Sequence, residues 1–233
     1  REEEIERFHR REYWTIEADV THAQPPFVAG LPHLAGDKLT QFSIEGGQAA
    51  AHARAALLGA ADGELVVSSV EKKQRKRQPS PPFITSTLQQ EAVRKLGFTA
   101  QKAMRVAQQL YEGIDVGEGA VGLITYMRTD SVTLAKDALH EIREFISTEY
   151  GKELLPAHAR QYKTTSKNAQ EAHEAIRPTS AFRKPRRLKD KLSPEQFRLY
   201  ELIWKRTIAS QMNHALIDTV SVDLACGRGN TFR

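Results

Sequence analysis

A change of hydrophobic period constrains the fold of this chain more than any other feature. Near both ends, apolar or β-branched residues alternate with polar ones, whereas from roughly residue 87 to residue 210 they recur at steps of three and four. The alternating pattern reads as strands at Tyr13–Val20 (YWTIEADV), Lys38–Ile44 and Glu64–Glu71 (ELVVSSVE), with an alanine-rich helix near Gln48–Leu58. Glu2–Arg11 has the charge density of an incoming helix end, and Thr21–Gly36, with three prolines and two glycines, reads as a loop. Ile217–Ala225 (IDTVSVDLA) returns to strand.

The helical stretch carries its own start and stop signals. Thr85, Ser86 and Thr87 precede LQQEAVRKL, with Thr87 and Gln90 at capping-box spacing and Gly97 as the stop. Thr99 opens a second helix whose Ala103, Val106, Ala107 and Leu110 share one face. A loop with four glycines follows at 113–122, then an amphipathic helix bearing Leu134, Ala138, Ile142 and Phe145 that Gly151 ends. Gln170–Arg177 reads as a short helix stopped by Pro178. Ser193, Pro194 and Gln196 open the last helix, whose apolar face places Trp204 in the core. The expected class is therefore α+β, with a mainly helical block at 81–212 inserted in a β-rich domain formed by 1–80 and 213–233.

Composition sets outer bounds on partners. Among 233 residues, 34 Lys and Arg against 29 Asp and Glu give a net charge of +5, which favours a polyanionic partner without demanding one. Two basic runs concentrate this charge: KKQRKR, with Lys72, Lys73, Arg75, Lys76 and Arg77, and RKPRRLKDK at 183–191. Each reads either as a solvated connection or as a phosphate contact, and the first, followed by three prolines, marks a hinge or domain boundary. The single cysteine, Cys226, excludes an internal disulfide or cysteine metal site, reads as a buried or strand residue and fits a reducing cytoplasm. No run approaches the ~18 apolar residues of a membrane span, and the N-terminus has no signal-peptide pattern. The chain has no initiator Met and is expected to be a piece of a larger protein.

The stretch VGLITYMRTDSVTL, residues 121–134, concentrates chemical potential. Val121–Thr125 is short and β-prone, and Thr129, Asp130 and Ser131 are helix-capping types ahead of the amphipathic helix. If the backbone is extended there, Tyr126 and Arg128 share a face. A neutral phenol is a poor nucleophile, a neighbouring cation favours its phenolate, and a guanidinium fork can hold two phosphate oxygens. The same residue types serve equally as a packed core tyrosine and a surface arginine.

The wording of three segments goes further. GLITYMRTDS, together with PPFITSTLQQEAVRKLGF at 81–98 and SKNAQEAHEAIRPT at 166–179, resembles the signature motifs of type IA DNA topoisomerases in the same order around the tyrosine. The resemblance implies a helical gate domain carried on a β-rich arch within a toroidal enzyme. It implies Tyr126 as the nucleophile, Arg128 as stabiliser of phosphorane charge, and His173 beside the tyrosine and the DNA. It further implies DNA contacts from Thr125, Arg177 and the 72–77 run, with single-stranded and negatively supercoiled DNA as partners in a bacterial nucleoid. The family's magnesium-binding acidic cluster belongs to an N-terminal domain, and no DxDxE pattern occurs in this chain, so Mg²⁺ is expected in a domain beyond it.

Two other classes stay open. A tyrosine recombinase also combines Tyr, Arg and His, but there the arginine and an HxxR motif precede a late tyrosine, whereas here Tyr126 comes first and the histidine motif is HxxxR. A noncatalytic DNA-binding module would use the two helices at 87–111 as a helix-turn-helix, a pair that reads equally as a hairpin packing its own core.

Overall fold

Two separate apolar clusters organise the chain. In the computed structural model, which describes residues 2–117, 119–163 and 174–233, the chain divides into Arg1–Arg75 with Ile217–Arg233, and Lys76–Leu216. Both boundaries fall inside strands.

The first unit is a mixed helix-and-sheet structure. A short helix α1 (Glu2–Glu6) precedes β1 (Glu17–Val20), β2 (Phe27–Gly30), β3 (His33–Leu34) and β4 (Asp37–Lys38), then α2 (Gly47–Ala61) and the long β5 (Val66–Arg77). β1 and β2 pair antiparallel, Ala18 opposite Ala29. A five-stranded sheet runs in the order β4-β3-β9-β8-β5, using β8 (Ala215–Ala225) and β9 (Thr231–Phe232) from the far end of the chain. Ala29, Leu31, Leu57, Leu224, Cys226 and Phe232 form its buried cluster. Each large side chain fully buried in this way contributes about 1.5–3 kcal/mol of transfer free energy. Cys226 is buried and free, with its thiol donating to the Leu57 carbonyl at 3.3 Å. The Arg233 guanidinium, with the Ser69 hydroxyl, holds the Asp223 carboxyl down to about 2, keeping the pair that joins β8 to the end of the chain ionised.

The second unit is mainly helical. α3 (Thr85–Glu91) widens into a π turn at Ala92–Leu96 and stops at Gly97, whose φ of +68° is the left-handed conformation glycine adopts without strain. Thr99 caps α4 (Ala100–Glu112), accepting the Lys102 N–H at 3.1 Å, and Ala103, Val106, Ala107 and Leu110 are buried along its expected face. A short hairpin, β6 (Ile114–Asp115) and β7 (Ala120–Val121), leads to the tyrosine segment. α5 (Lys136–Glu149) and α6 (Pro194–Ser210) complete the unit. α6 begins with the expected capping box: Ser193 Oγ accepts the Gln196 N–H at 3.3 Å, and Gln196 Oε1 accepts the Ser193 N–H at 2.9 Å. Trp204 is buried and donates its indole N–H to the Ala181 carbonyl at 2.9 Å, so it is a core residue. Among the described residues no helix is long and apolar enough to cross a membrane.

Several expected elements differ, each for a local reason. Of Tyr13–Val20 only Glu17–Val20 forms a strand, because Trp14 bonds instead to Glu12 and to the Ile44 carbonyl. Within Thr21–Gly36 lie β2 and β3, since Phe27–Gly30, following two prolines, supplies a complete partner for β1. Of Lys38–Ile44 only the first residue belongs to a strand; the Ser43 hydroxyl takes the Thr40 N–H at 2.8 Å and turns the chain. KKQRKR is the continuation of β5 rather than a loose connection. α3 starts two residues before Thr87, whose hydroxyl instead receives the Ile84 N–H at 3.0 Å. α5 starts at Lys136, because the Thr129 and Ser131 hydroxyls cap the N–H groups two residues on, of Ser131 and Thr133. In QEAHEAIR, residues 170–173 lie outside the described residues, and 174–177 is extended, with Ile176 bridged to Phe83.

Candidate active site

Three stretches of the second unit meet around Tyr126. Residues 121–129 lie between the chain at 83–85 and the chain at 175–179. On one side the Thr125 N–H donates to the Arg177 carbonyl at 2.9 Å and the Thr179 N–H to the Leu123 carbonyl at 3.0 Å. The Ile176 N–H donates to the Phe83 carbonyl and the Thr85 N–H to the Thr129 carbonyl, each at 2.9 Å, which closes the arrangement. Leu123, Ile124 and Met127 are anchored in the core cluster.

Burial along the segment alternates although the backbone bends at Met127 and Arg128 instead of continuing as strand. Met127 is 1% exposed, whereas Tyr126 is 48% exposed and Arg128 is exposed too. Tyr126 and Arg128 are thus both exposed, on a backbone that bends there in place of the extended strand expected. The Tyr126 ring meets Tyr111, at the end of α4, edge to face with centroids 5.4 Å apart.

α4 approaches the segment closely. The Leu123 N–H donates to the Leu110 carbonyl at 2.7 Å, and a Cβ added at Gly122 would lie 2.8 Å from the Tyr111 carbonyl oxygen. Both obstacles are backbone, so Gly122→Ala should lower stability by about 1–3 kcal/mol. Thermal unfolding checks this, and an unchanged midpoint contradicts the close approach.

Arg177 is bound into the frame. Its Nε and Nη2 donate to the two carboxylate oxygens of Glu174 at 2.6 and 3.1 Å, and Nη1 donates to the Pro178 carbonyl at 2.9 Å. Glu174 Oε1 also accepts the Ala135 N–H at 2.8 Å, just ahead of α5. Thr125, Tyr126 and Arg177 therefore come together, with Arg128 two residues on. His173 lies outside the described residues. Lys72, Lys73 and Arg75 belong to the first unit and Lys76 and Arg77 to the second, all exposed on β5. Among the described residues no three His, Cys, Asp or Glu side chains gather as a metal ion would require. Sequence reasoning missed Tyr111 and Glu174 as neighbours of the tyrosine segment, and read Thr85 only as a residue at a helix start. The Glu174–Arg177 spacing was legible as an ion pair; the contacts of Tyr111 and Thr85 depend on the tertiary fold.

Comparison with known proteins covers the same span. A family model described as DNA topoisomerase matches residues 1–233. The chain is 58% identical over 234 residues to DNA topoisomerase 1 of Xylella fastidiosa (strain Temecula1), covering 100% of this chain and 29% of that protein. It is 52% identical to DNA topoisomerase 1 of Rickettsia bellii, covering 97% and 28%, and 45% identical to that of Helicobacter pylori, covering 98% and 30%. It also resembles the structure of full-length topoisomerase I from Thermotoga maritima, with a TM-score of 0.73 and 33% identity over 100% of this chain and 35% of that one. The chain spans just under a third of the length of these curated relatives. A family match over every residue, relatives at this identity and the solved structure agree: the chain belongs to the type IA DNA topoisomerase family.

Proposed function

We propose that this chain is the part of a DNA topoisomerase that carries its nucleophile. The Tyr126 oxygen attacks a backbone phosphorus of single-stranded DNA, the new O–P bond replaces the bond to O3′, the phenolic proton is lost and the leaving O3′ gains one. The product is a 5′-phosphotyrosine and a free 3′-hydroxyl. One phosphoester replaces another, so resealing needs no ATP, and passage of a strand between the two steps relaxes negatively supercoiled DNA. The observation that carries this reading is the alternation at 126–129: the family's tyrosine motif is held by buried neighbours while the phenol and Arg128 reach solvent.

Arg128 supports charge that develops on the phosphorane, a role in which a planar fork acts on two oxygens at once. His173 and Thr125 lie in the motifs that surround the scissile phosphate. Arg177 uses three N–H groups within the frame and keeps two for a phosphate. The basic run of β5 draws the DNA backbone in through counterion release. In the whole enzyme the helical unit, 81–212, acts as a gate on a β-rich arch formed by 1–80 and 213–233. A magnesium ion would be held by acidic residues of another part of the whole protein, where it would supply positive charge near the phosphate.

End-labelled single-stranded oligonucleotides test the polarity. A label at the 3′ end of the DNA should stay with the protein, while a 5′ label should leave on a strand ending in a 3′-hydroxyl. Retention of the 5′ label would mean a 3′-phosphotyrosine, as the recombinase reading requires. Arg128→Lys keeps the charge and loses the fork, so single-turnover cleavage should fall roughly 10- to 100-fold while binding weakens less. Equal cleavage rates for variant and parent would remove Arg128 from this role.

A further inference from the structure

The tyrosine segment is tied down on both sides by threonine hydroxyls, and one of them comes from far away in sequence. Before Tyr126, the Thr125 hydroxyl donates to the Ala175 carbonyl at 2.7 Å and accepts the Arg177 N–H at 3.0 Å. After it, the Thr85 hydroxyl donates its proton to the Met127 carbonyl at 2.8 Å, with the Thr129 carbonyl 3.0 Å away, and accepts the Thr129 N–H at 2.9 Å. The Thr85 N–H adds a bond to the Thr129 carbonyl at 2.9 Å.

Thr85 is the first residue of α3, and the next turn of that helix is locked into the core by the fully buried Leu88. A single side chain thus couples a rigid helix to the backbone immediately following Tyr126. At the bend the ladder of backbone bonds is interrupted, so a side-chain hydroxyl takes the place of a paired strand. Without it the Met127 carbonyl and the Thr129 N–H lose a partner each, and the backbone after Tyr126 is held there only by the Thr85 N–H and the burial of Met127.

We infer that Thr85 is a positioning residue for the Tyr126 nucleophile: its hydroxyl fixes the Met127 carbonyl and the Thr129 N–H and thereby the line along which the phenolic oxygen meets phosphorus. This rests on the reading of Tyr126 as the nucleophile. Thr85 itself contacts no reacting atom. In-line attack and the reverse step use the same oxygen, so the frame matters for cleavage and for resealing alike. A displacement of about 1 Å in a reacting group costs on the order of 100-fold in rate.

The test uses a full-length topoisomerase carrying this sequence and a single-stranded oligonucleotide under single-turnover conditions. Thr85→Val replaces the hydroxyl by a methyl group, and its saturated cleavage rate should fall about 10- to 100-fold with noncovalent affinity within about threefold of the parent. Thr85→Ser restores the hydroxyl and should cleave within about threefold of the parent. Thr85→Ala removes the hydroxyl without placing a methyl against the carbonyls and serves if the valine protein does not fold. Thr87→Val is the control for a merely structural effect, since the Thr87 hydroxyl bonds Ile84 in the same helical turn and touches nothing in the tyrosine segment. Its cleavage rate should match the parent's. Loss in Thr85→Val or Thr85→Ala no greater than in Thr87→Val, or failure of serine to rescue, overturns the positioning role. A Tyr126→Phe protein run alongside separates the two claims: adduct formation by that variant sinks the nucleophile reading, whereas its inactivity with normal cleavage by Thr85→Val sinks only the inference about Thr85.

Discussion

Tyr126→Phe is expected to abolish covalent attachment to DNA, lowering cleavage by more than about 1,000-fold, because no other group can replace the lost oxygen as the attacking atom. The fold should not change. The ring is half exposed, and its edge-to-face contact with Tyr111, 5.4 Å between centroids, involves carbon atoms that phenylalanine keeps. Removing one solvent-facing hydroxyl changes stability by no more than about 0.5 kcal/mol. Binding of single-stranded DNA, measured without cleavage, should stay within about twofold of the parent. A variant that still yields protein-bound DNA places the nucleophile elsewhere.

Phe145→Ala should act in the opposite way, through the fold. Phe145 lies on α5 at 1% exposure, and three aromatic rings meet it edge to face: Phe182 at 5.3 Å, Trp204 at 5.4 Å and Tyr150 at 5.9 Å. The Lys184 ammonium sits 5.6 Å from its ring centre. Neighbours drawn from α5, α6 and the 182–184 turn cannot all collapse into the space a benzyl group leaves. Truncation should therefore cost about 3–5 kcal/mol, and the unfolding midpoint of the helical unit should fall by roughly 10 °C or more. A shift below about 2 °C would show that this cluster does not hold the unit together. The pair of variants separates chemistry from scaffold: one removes the reaction at an unchanged midpoint, and the other lowers the midpoint.

Helix faces were legible in the sequence because packing decides them. Ala103, Val106, Ala107 and Leu110 on α4 are buried as their spacing implies, and the Ser193–Gln196 cap of α6 is a local hydrogen-bonding pattern readable from four residues. Strand bounds in the first unit were less legible, since Phe27–Gly30 becomes a strand through its partner β1 and not through its proline-flanked composition. The 174–177 segment has the residues of a helix but is extended, because Ile176 and Pro178 bridge Phe83 and Ile124. Tertiary pairing there outweighs intrinsic propensity. The motif around Tyr126 was visible as a word, while the threonine frame that holds it was not: Thr85 and Met127 are forty-two residues apart, and nothing in either one's neighbourhood announces the 2.8 Å hydrogen bond between them.

During cleavage Tyr126 is expected to become covalently joined to the 5′ end of the broken strand. Peptide mapping by mass spectrometry measures this most directly. A full-length topoisomerase carrying this sequence is trapped on a single-stranded oligonucleotide, digested with nuclease and protease, and searched for a peptide bearing a residual nucleotide. One modified peptide is expected, spanning residues 121–134, with the nucleotide joined through its 5′-phosphate to Tyr126. A nucleotide on any other residue, or one joined to Tyr126 through its 3′-phosphate, would contradict it.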